Sequence, residues 1–249
     1  MRIGIVTQEF PGWGPSGGIG VAMKELANSL SEDGHSVVLF FVNKSNLNNF
    51  AGIESLDYSV VVVDLEHHTT QNDQVGWSFA VAKTVLSFPS RFDVIHFHDY
   101  QGIGYHLVQH SKHRAIREAK LVCQMHGPQI WATQLNKKLN PTIDILQAYA
   151  IEEYIYHNTD NVVFPSQYLR KWALENWGKS KNTKISVIKN LFSRGLRRSK
   201  EIKADQIKKI FVVGRHEPRK GIELAVDALN LIKKQIIANG IEIVFFGGL

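Results

Sequence analysis

Residues 1–42 read MRIGIVTQEF PGWGPSGGIG VAMKELANSL SEDGHSVVLF FV, and this stretch decides the fold. It opens with a short apolar run of strand type, Arg2–Thr7. Ile19, Ala22, Met23, Leu26, Ala27 and Leu30 then recur at i, i+3, i+4 and i+7, the spacing of one helix face. Gly34 stands where a glycine closes a helix. Residues 37–42 are uninterruptedly apolar, the pattern of a strand covered on both faces. Strand, helix and covered strand make a β-α-β unit, and repetition of that unit builds a parallel sheet.

The repetition is present. Strand patterns recur at 59–65, 92–97, 121–125, 162–164 and 185–188, separated by helix patterns at 75–88, 102–112, from Asn140 to about 157, and 167–177. Asn140 reads as the cap of its helix, with Pro141 in the first turn where its missing N–H is harmless. The expected fold is therefore α/β, a doubly wound parallel Rossmann-like sheet over residues 1–190. Residues 191–207 are basic and aperiodic and read as a linker. A second unit, 208–249, begins with strand 210–213, helix 222–238 and strand 241–246. A parallel-sheet domain needs on the order of 100 residues to close its core, so the second unit reads as an incomplete domain: either the chain is a truncated portion, or this piece packs on something outside it.

Bulk properties exclude several classes. The 249 residues are 44% hydrophobic and 21% charged, a globular composition whose core needs no staples. The single cysteine, Cys123, excludes an internal disulfide and suits a reducing compartment. The first residues read as a strand rather than a signal peptide, and no segment approaches the ~18 apolar residues of a membrane helix. A cytoplasmic protein is expected. Net charge is +6, with basic residues gathered at 110–120 and 194–209. That balance suits phosphates or peripheral contact with an anionic membrane. No aromatic residues interleave these clusters, so no nucleic-acid partner is expected.

Four segments carry candidate chemistry. GWGPSG at 12–17 matches G-x-G-x-x-G literally, but it follows the first strand too late, and Asn43 and Lys44 replace the acidic residue a dinucleotide ribose requires. The Gly17-Gly18-Ile19-Gly20 run opens a helix, where unpaired N–H groups and the dipole can hold an anion; a loop needing glycine only for its turn is the other reading. IHFHD at 95–99 ends a strand, at the edge where ligands bind in open α/β sheets. His96 and His98 share a face there, yet no third ligand is identifiable, which favours polar residues at a cleft rim over a metal pair. MHGP at 125–128 ends the next strand, placing His126 to donate to a substrate hydroxyl. GRHEPRKG at 214–221 sets Arg215 and Lys220 in a strand-to-helix turn, a good diphosphate clamp with a basic surface turn as the alternative.

In this order the segments GGIG (17–20), IHFHD (95–99), HG (126–127), SQYL (166–169), IKN (188–190) and 214–221 resemble the retaining GT-B glycosyltransferases of family 4. The resemblance spans nearly the whole chain. It implies two Rossmann-like domains, with a nucleotide-diphosphate sugar as co-substrate on the second and a glycan or lipid-linked acceptor on the first. It implies that His126, Arg215 and Lys220 are catalytic, that Gly17, Gly18, Arg215 and Lys220 bind donor phosphates, and that Asp99, His98 and Trp131 face the acceptor. No metal or other cofactor is implied, and no D-x-D triplet is present. Leu191 stands where the family usually has glycine, and the family's E-x₇-E pair is not found in these residues. The expected function is hexosyl transfer in polysaccharide biosynthesis by the parent enzyme, with this chain an inactive portion. A sugar-nucleotide epimerase of the same fold and a non-enzymatic glycan- or partner-binding protein remain as alternatives.

Overall fold

A computed structural model of the chain describes residues 1–45, 47–65, 73–111, 118–137, 140–181, 183–191 and 207–247. The expected linker lies outside these residues except at its ends, as do Lys112, Arg114 and Arg117 and the basic residues of 194–203. The chain divides into two compact units, Met1–Gln129 with Thr142–Ser193, and Ile130–Pro141 with Arg194–Leu249. Segment 130–141, which the sequence pattern assigns to the first domain, thus groups with the second unit.

The first unit holds seven parallel strands: β1 (Arg2–Thr7), β2 (Ser36–Val42), β3 (Ser59–Val63), β4 (Val94–His98), β5 (Lys120–Gln124), β6 (Asn161–Phe164) and β7 (Lys184–Val187). Their spatial order is β3-β2-β1-β4-β5-β6-β7. Helices α1 (Gly18–Glu32), α2 (Gln74–Ser87), α3 (Tyr105–Gln109), α5 (Ile143–Asn158) and α6 (Gln167–Asn176) connect them, and α4 (Gln129–Leu135) follows β5. The doubly wound architecture expected from the alternating pattern is the one observed. Strand β2 shows why its run is apolar throughout. Leu39 and Phe41 belong to one core with Met23, Ala27 and Trp13, whereas Phe40 meets Phe88 and Phe92 edge to face. Both faces are covered, as parallel sheets require.

Three elements differ from the periodicity. The helix expected over 102–112 shortens to α3, preceded by a 3₁₀ turn at Tyr100–Gly102. Close packing is the reason. Gly102 has φ +64°, where a Cβ would strike Ile151, and a Cβ on Gly104 would strike the Phe97 ring. Asn140 is not the cap of α5, which begins after Thr142. Helix α4 has no counterpart in the sequence reading, because seven residues are too few to display a 3.6-residue period.

The second unit contains β8 (Lys209–Val213) paired in parallel with β9 (Glu242–Phe246), joined through α7 (Ile222–Leu231) and α8 (Lys233–Ala238). The single helix expected there breaks at Ile232 (φ −107°, ψ 15°). No residue of α7 or α8 is buried. Among the described residues no helix is long and apolar enough to cross a membrane.

Candidate functional site

In open α/β sheets ligands bind at the carboxyl ends of the strands where the strand order reverses. Here that point lies between β1 and β4. The segments leaving β1, β2, β4 and β5 there carry most of the residues singled out in the sequence.

Two buried carboxylates shape this edge. Asp99, just past β4, accepts the backbone N–H of His126 at 2.8 Å and of Gly127 at 3.2 Å. Glu152, on α5, accepts the backbone N–H of Gln101 at 2.8 Å and of Gln129 at 2.7 Å. The Asp99 grip holds the turn after β5, and the Glu152 grip ties that turn's exit to the turn after β4. Burial pushes the Asp99 carboxyl up to about 7, against the pull of the N–H groups, and holds Glu152 well above the usual carboxylate range, with Asp99 adding repulsion. Asp99 is wholly buried, and its two bonds fix the position of the turn after β5. Glu152 is absent from the sequence reading. One of two adjacent acids in helix α5, beside Glu153, it carries no local signal of buried contacts 23 and 51 residues away.

The histidines are neutral. His96 Nε2 lies 2.9 Å from Gln124 Oε1, and Gln124 Nε2 donates to Asn190 Oδ1 at 2.8 Å. Burial lowers His96 to about 4. His98 is completely buried, and burial, with His126, Lys44 and His96 nearby, holds it well below its ordinary value. Its ring has no open surface. His126 Nε2 is buried without a hydrogen-bond partner among the described residues. Burial, then His96, lowers the ring to about 4, so it can meet a hydroxyl as a neutral donor or acceptor. No group of three His, Cys, Asp or Glu among the described residues could hold a metal ion.

Gly17 caps α1 and Gly18 begins it, but an anion already sits there. Glu9 Oε2 accepts the N–H of Gly17 at 2.7 Å and of Gly20 at 3.4 Å. Gly18 lies open, with nothing within 4 Å of where its Cβ would be. Beside this helix start is a cavity of about 270 Å³, lined by residues that follow β1, β2 and β4, among them Gln8, Glu9, Lys44 and Tyr100. Lys44 Nζ donates to Gln101 Oε1 at 2.8 Å and lies 4.6 Å from the centre of the Trp77 ring. Burial lowers it to about 8, with Glu9 opposing the shift.

The turn after β8 belongs to the second unit. Gly214 donates its N–H to Phe246 O at 2.9 Å, and a 3₁₀ turn at Pro218–Lys220 leads through Gly221 (φ 71°) into α7. Arg215 is 61% exposed and pairs with Glu217 at 3.1 Å. Arg219, only 13% exposed, pairs with Glu217 at 2.6 Å and lies 5.9 Å from the Trp131 ring centre. Asn136 joins this group, donating to Glu217 Oε2 at 3.3 Å and accepting the Arg219 N–H at 3.2 Å. Trp131 therefore lies beside a cation of the second unit, its Nε1 buried without a partner among the described residues. Lys220 is exposed and makes no ion pair among the described residues. Glu217 and Arg219 were missed in the sequence. Their place inside the same turn was the available signal.

The sequence model of Glycosyltransferase Family 4 matches residues 16–194. No curated protein sequence matches the chain. Among solved structures, sucrose-phosphate synthase from Thermosynechococcus elongatus is similar at a TM-score of 0.64 and 15% identity, over 100% of this chain and 70% of that one. A UGT89C1 structure from Arabidopsis thaliana, complexed with UDP-L-rhamnose, is similar at 0.56 and 10% identity, over 99% and 70%. The lipopolysaccharide outer core galactosyltransferase WaaB is similar at 0.54 and 12% identity, over 100% and 68%. At such identities these likenesses establish the fold.

Proposed function

The chain belongs to glycosyltransferase family 4, and from that membership we propose that it serves hexosyl transfer, with retention, from a nucleotide-diphosphate sugar to a glycan or lipid-linked acceptor. The observation that carries this reading is the turn after β8. An exposed Arg215 and an exposed Lys220, which makes no ion pair among the described residues, flank the start of α7, where helix polarity adds to their charge. As the bond between the anomeric carbon and the diphosphate breaks, negative charge grows on the leaving oxygen. Cations already fixed there stabilise that charge without reorganising. Glu217 holds Arg215 until the donor arrives, and the phosphate takes its place.

Support for a nucleotide sugar also comes from the UDP-L-rhamnose held by the UGT89C1 structure. On the first unit, His126 offers its unpartnered Nε2 to a hydroxyl of the transferring sugar, on a turn that Asp99 fixes. Because the leaving charge meets arginine and lysine, the mechanism invokes no metal, and transfer should persist in EDTA. The net charge of +6 suits a cytoplasmic enzyme meeting a lipid-linked acceptor at an anionic membrane face, which binding to anionic but not neutral vesicles would check.

The deciding experiment supplies UDP-hexoses with glycan and lipid-linked acceptors to the full-length protein and follows UDP release and product by NMR. Transfer with the donor's anomeric configuration kept in the product is expected. Epimerisation of the donor without transfer, or an inverted product, would overturn the reading.

A further inference from the structure

The cavity at the ends of β1, β2 and β4 contains two features that the transferase reading leaves unused. The first is Gln8. Gln8 is among the residues lining the cavity and is only 6% exposed, and its amide nitrogen and oxygen are both buried without a hydrogen-bond partner among the described residues. Buried polar groups are almost always paired, because desolvating an amide without a partner is costly. An amide left open on both atoms offers one donor and one acceptor side by side, which matches two neighbouring hydroxyls.

The second is the charge balance. Glu9 and Lys44 both line the cavity, but they are not equally satisfied. The Glu9 carboxylate is engaged by the N–H groups of Gly17 and Gly20 at the start of α1. Lys44 has one neutral acceptor, Gln101 Oε1, and an aromatic face, and makes no ion pair among the described residues. A partly buried ammonium with unused donors attracts a carboxylate. Trp13, Phe41 and Tyr100 supply aromatic wall around these groups. The volume of about 270 Å³ is near the lower end of small-molecule sites, which run from roughly 300 Å³ upward, and suits one ring.

We propose that this cavity is a subsite for an acidic sugar, a single ring whose carboxylate pairs with Lys44 and whose adjacent hydroxyls bond the Gln8 amide. It rests on the transferase reading only for the ligand's role, that of an acidic unit in the acceptor. The binding itself is independent of transfer.

The test measures direct binding of D-glucuronate, D-glucose, acetate and inorganic phosphate to the full chain at low salt, by saturation-transfer NMR and calorimetry. Glucuronate should bind at least tenfold more tightly than glucose, and more tightly than acetate or phosphate. Lys44→Gln should remove the preference over glucose while leaving glucose affinity within about twofold. Gln8→Leu should weaken both sugars and leave acetate unchanged. Equal binding of glucuronate and glucose would overturn the proposal. So would acetate or phosphate matching glucuronate, which would mark a plain anion site, or a preference that survives in Lys44→Gln. Circular dichroism on each variant separates lost binding from lost folding. If glucuronate binds as expected but no UDP-hexose is transferred, the subsite stands and the transferase reading fails.

Discussion

Lys44 gives a stability prediction of unusual sign: replacing it by methionine should make the protein more stable. Burial lowers its folded pKa from 10.5 to about 8. At 1.36 kcal/mol per unit, keeping the ammonium charged at pH 7 costs about 3 kcal/mol. Methionine removes that cost at similar length. It also leaves Gln101 Oε1 without its donor, about 1 kcal/mol, and ends the contact with the Trp77 ring, about 0.5–1 kcal/mol. The net gain is about 1–2 kcal/mol, or roughly 2–8 °C in melting midpoint for a chain of this size. The pH dependence follows from the sign of the shift. With the folded pKa below the unfolded one, the folded state loses its proton first. The wild-type protein therefore gains stability as pH rises from about 8 toward 10.5, and the advantage of Lys44→Met should be full at pH 7, close between about pH 9 and 9.5, and pass to the wild type by about pH 10.5, where only the lost contacts remain. Thermal melts of both proteins at pH 7, 9 and 10.5, compared as differences, make the check. A variant no more stable than wild type at pH 7, or a gap that does not close with pH, would refute the reasoning.

Three other outcomes follow from the site. Asp99→Asn places an amide N–H against one of the two N–H groups the carboxylate now accepts, costing about 1–3 kcal/mol, and hydrogen exchange at His126 and Gly127 should accelerate. Because the Asp99 carboxyl is raised from 3.8 to about 7, its contribution is full below about pH 4 and is lost as pH rises through 7; the fall in wild-type stability between pH 5 and 8 should shrink in Asp99→Asn, as read by urea midpoints. Lys220→Ala should lower kcat about 10²–10³-fold in the UDP-hexose assay while shifting unfolding by less than about 0.5 kcal/mol, since the side chain is exposed and makes no ion pair among the described residues. Gly102→Ala, which forces φ +64° on a residue with a Cβ and drives that atom into Ile151, should cost about 2–4 kcal/mol by thermal melting.

The sheet was legible because its signal is local and repeated. The run at 37–42 announces a strand covered on both faces, and Phe40 and Phe41 do face opposite cores. What failed to show was set by partners distant in sequence. Asp99 stands at a strand end, and nothing near it in sequence announces that its bonds reach 27 and 28 residues ahead into the turn after β5. Glu152 sits in a helix pattern like any solvated acid. The helix expected at 102–112 lost its first turn to packing by Phe97 and Ile151, which periodicity does not register. For the proposed site, the sequence offers the glycine run at Gly17 and Gly18 and the basic turn at Arg215 and Lys220. The Gln8–Lys44 cavity was hidden, because two ordinary polar residues become significant only when β1 and β2 are laid side by side.

The Glu9 carboxylate at the start of α1 turns phosphate binding there into an exchange. A phosphate seated on the Gly17 and Gly20 N–H groups must first evict a tethered competitor whose local concentration no dilution lowers. The apparent affinity is then the intrinsic one multiplied by the fraction of time Glu9 is away. Shortening the competitor, as in Glu9→Ala, would bare the seat and let weaker anions such as free phosphate or sulfate occupy it. On the proposed phosphate-binding role, the native loop would reject stray anions and yield to a ligand held elsewhere as well, so occupancy at α1 would report multivalent engagement rather than charge alone.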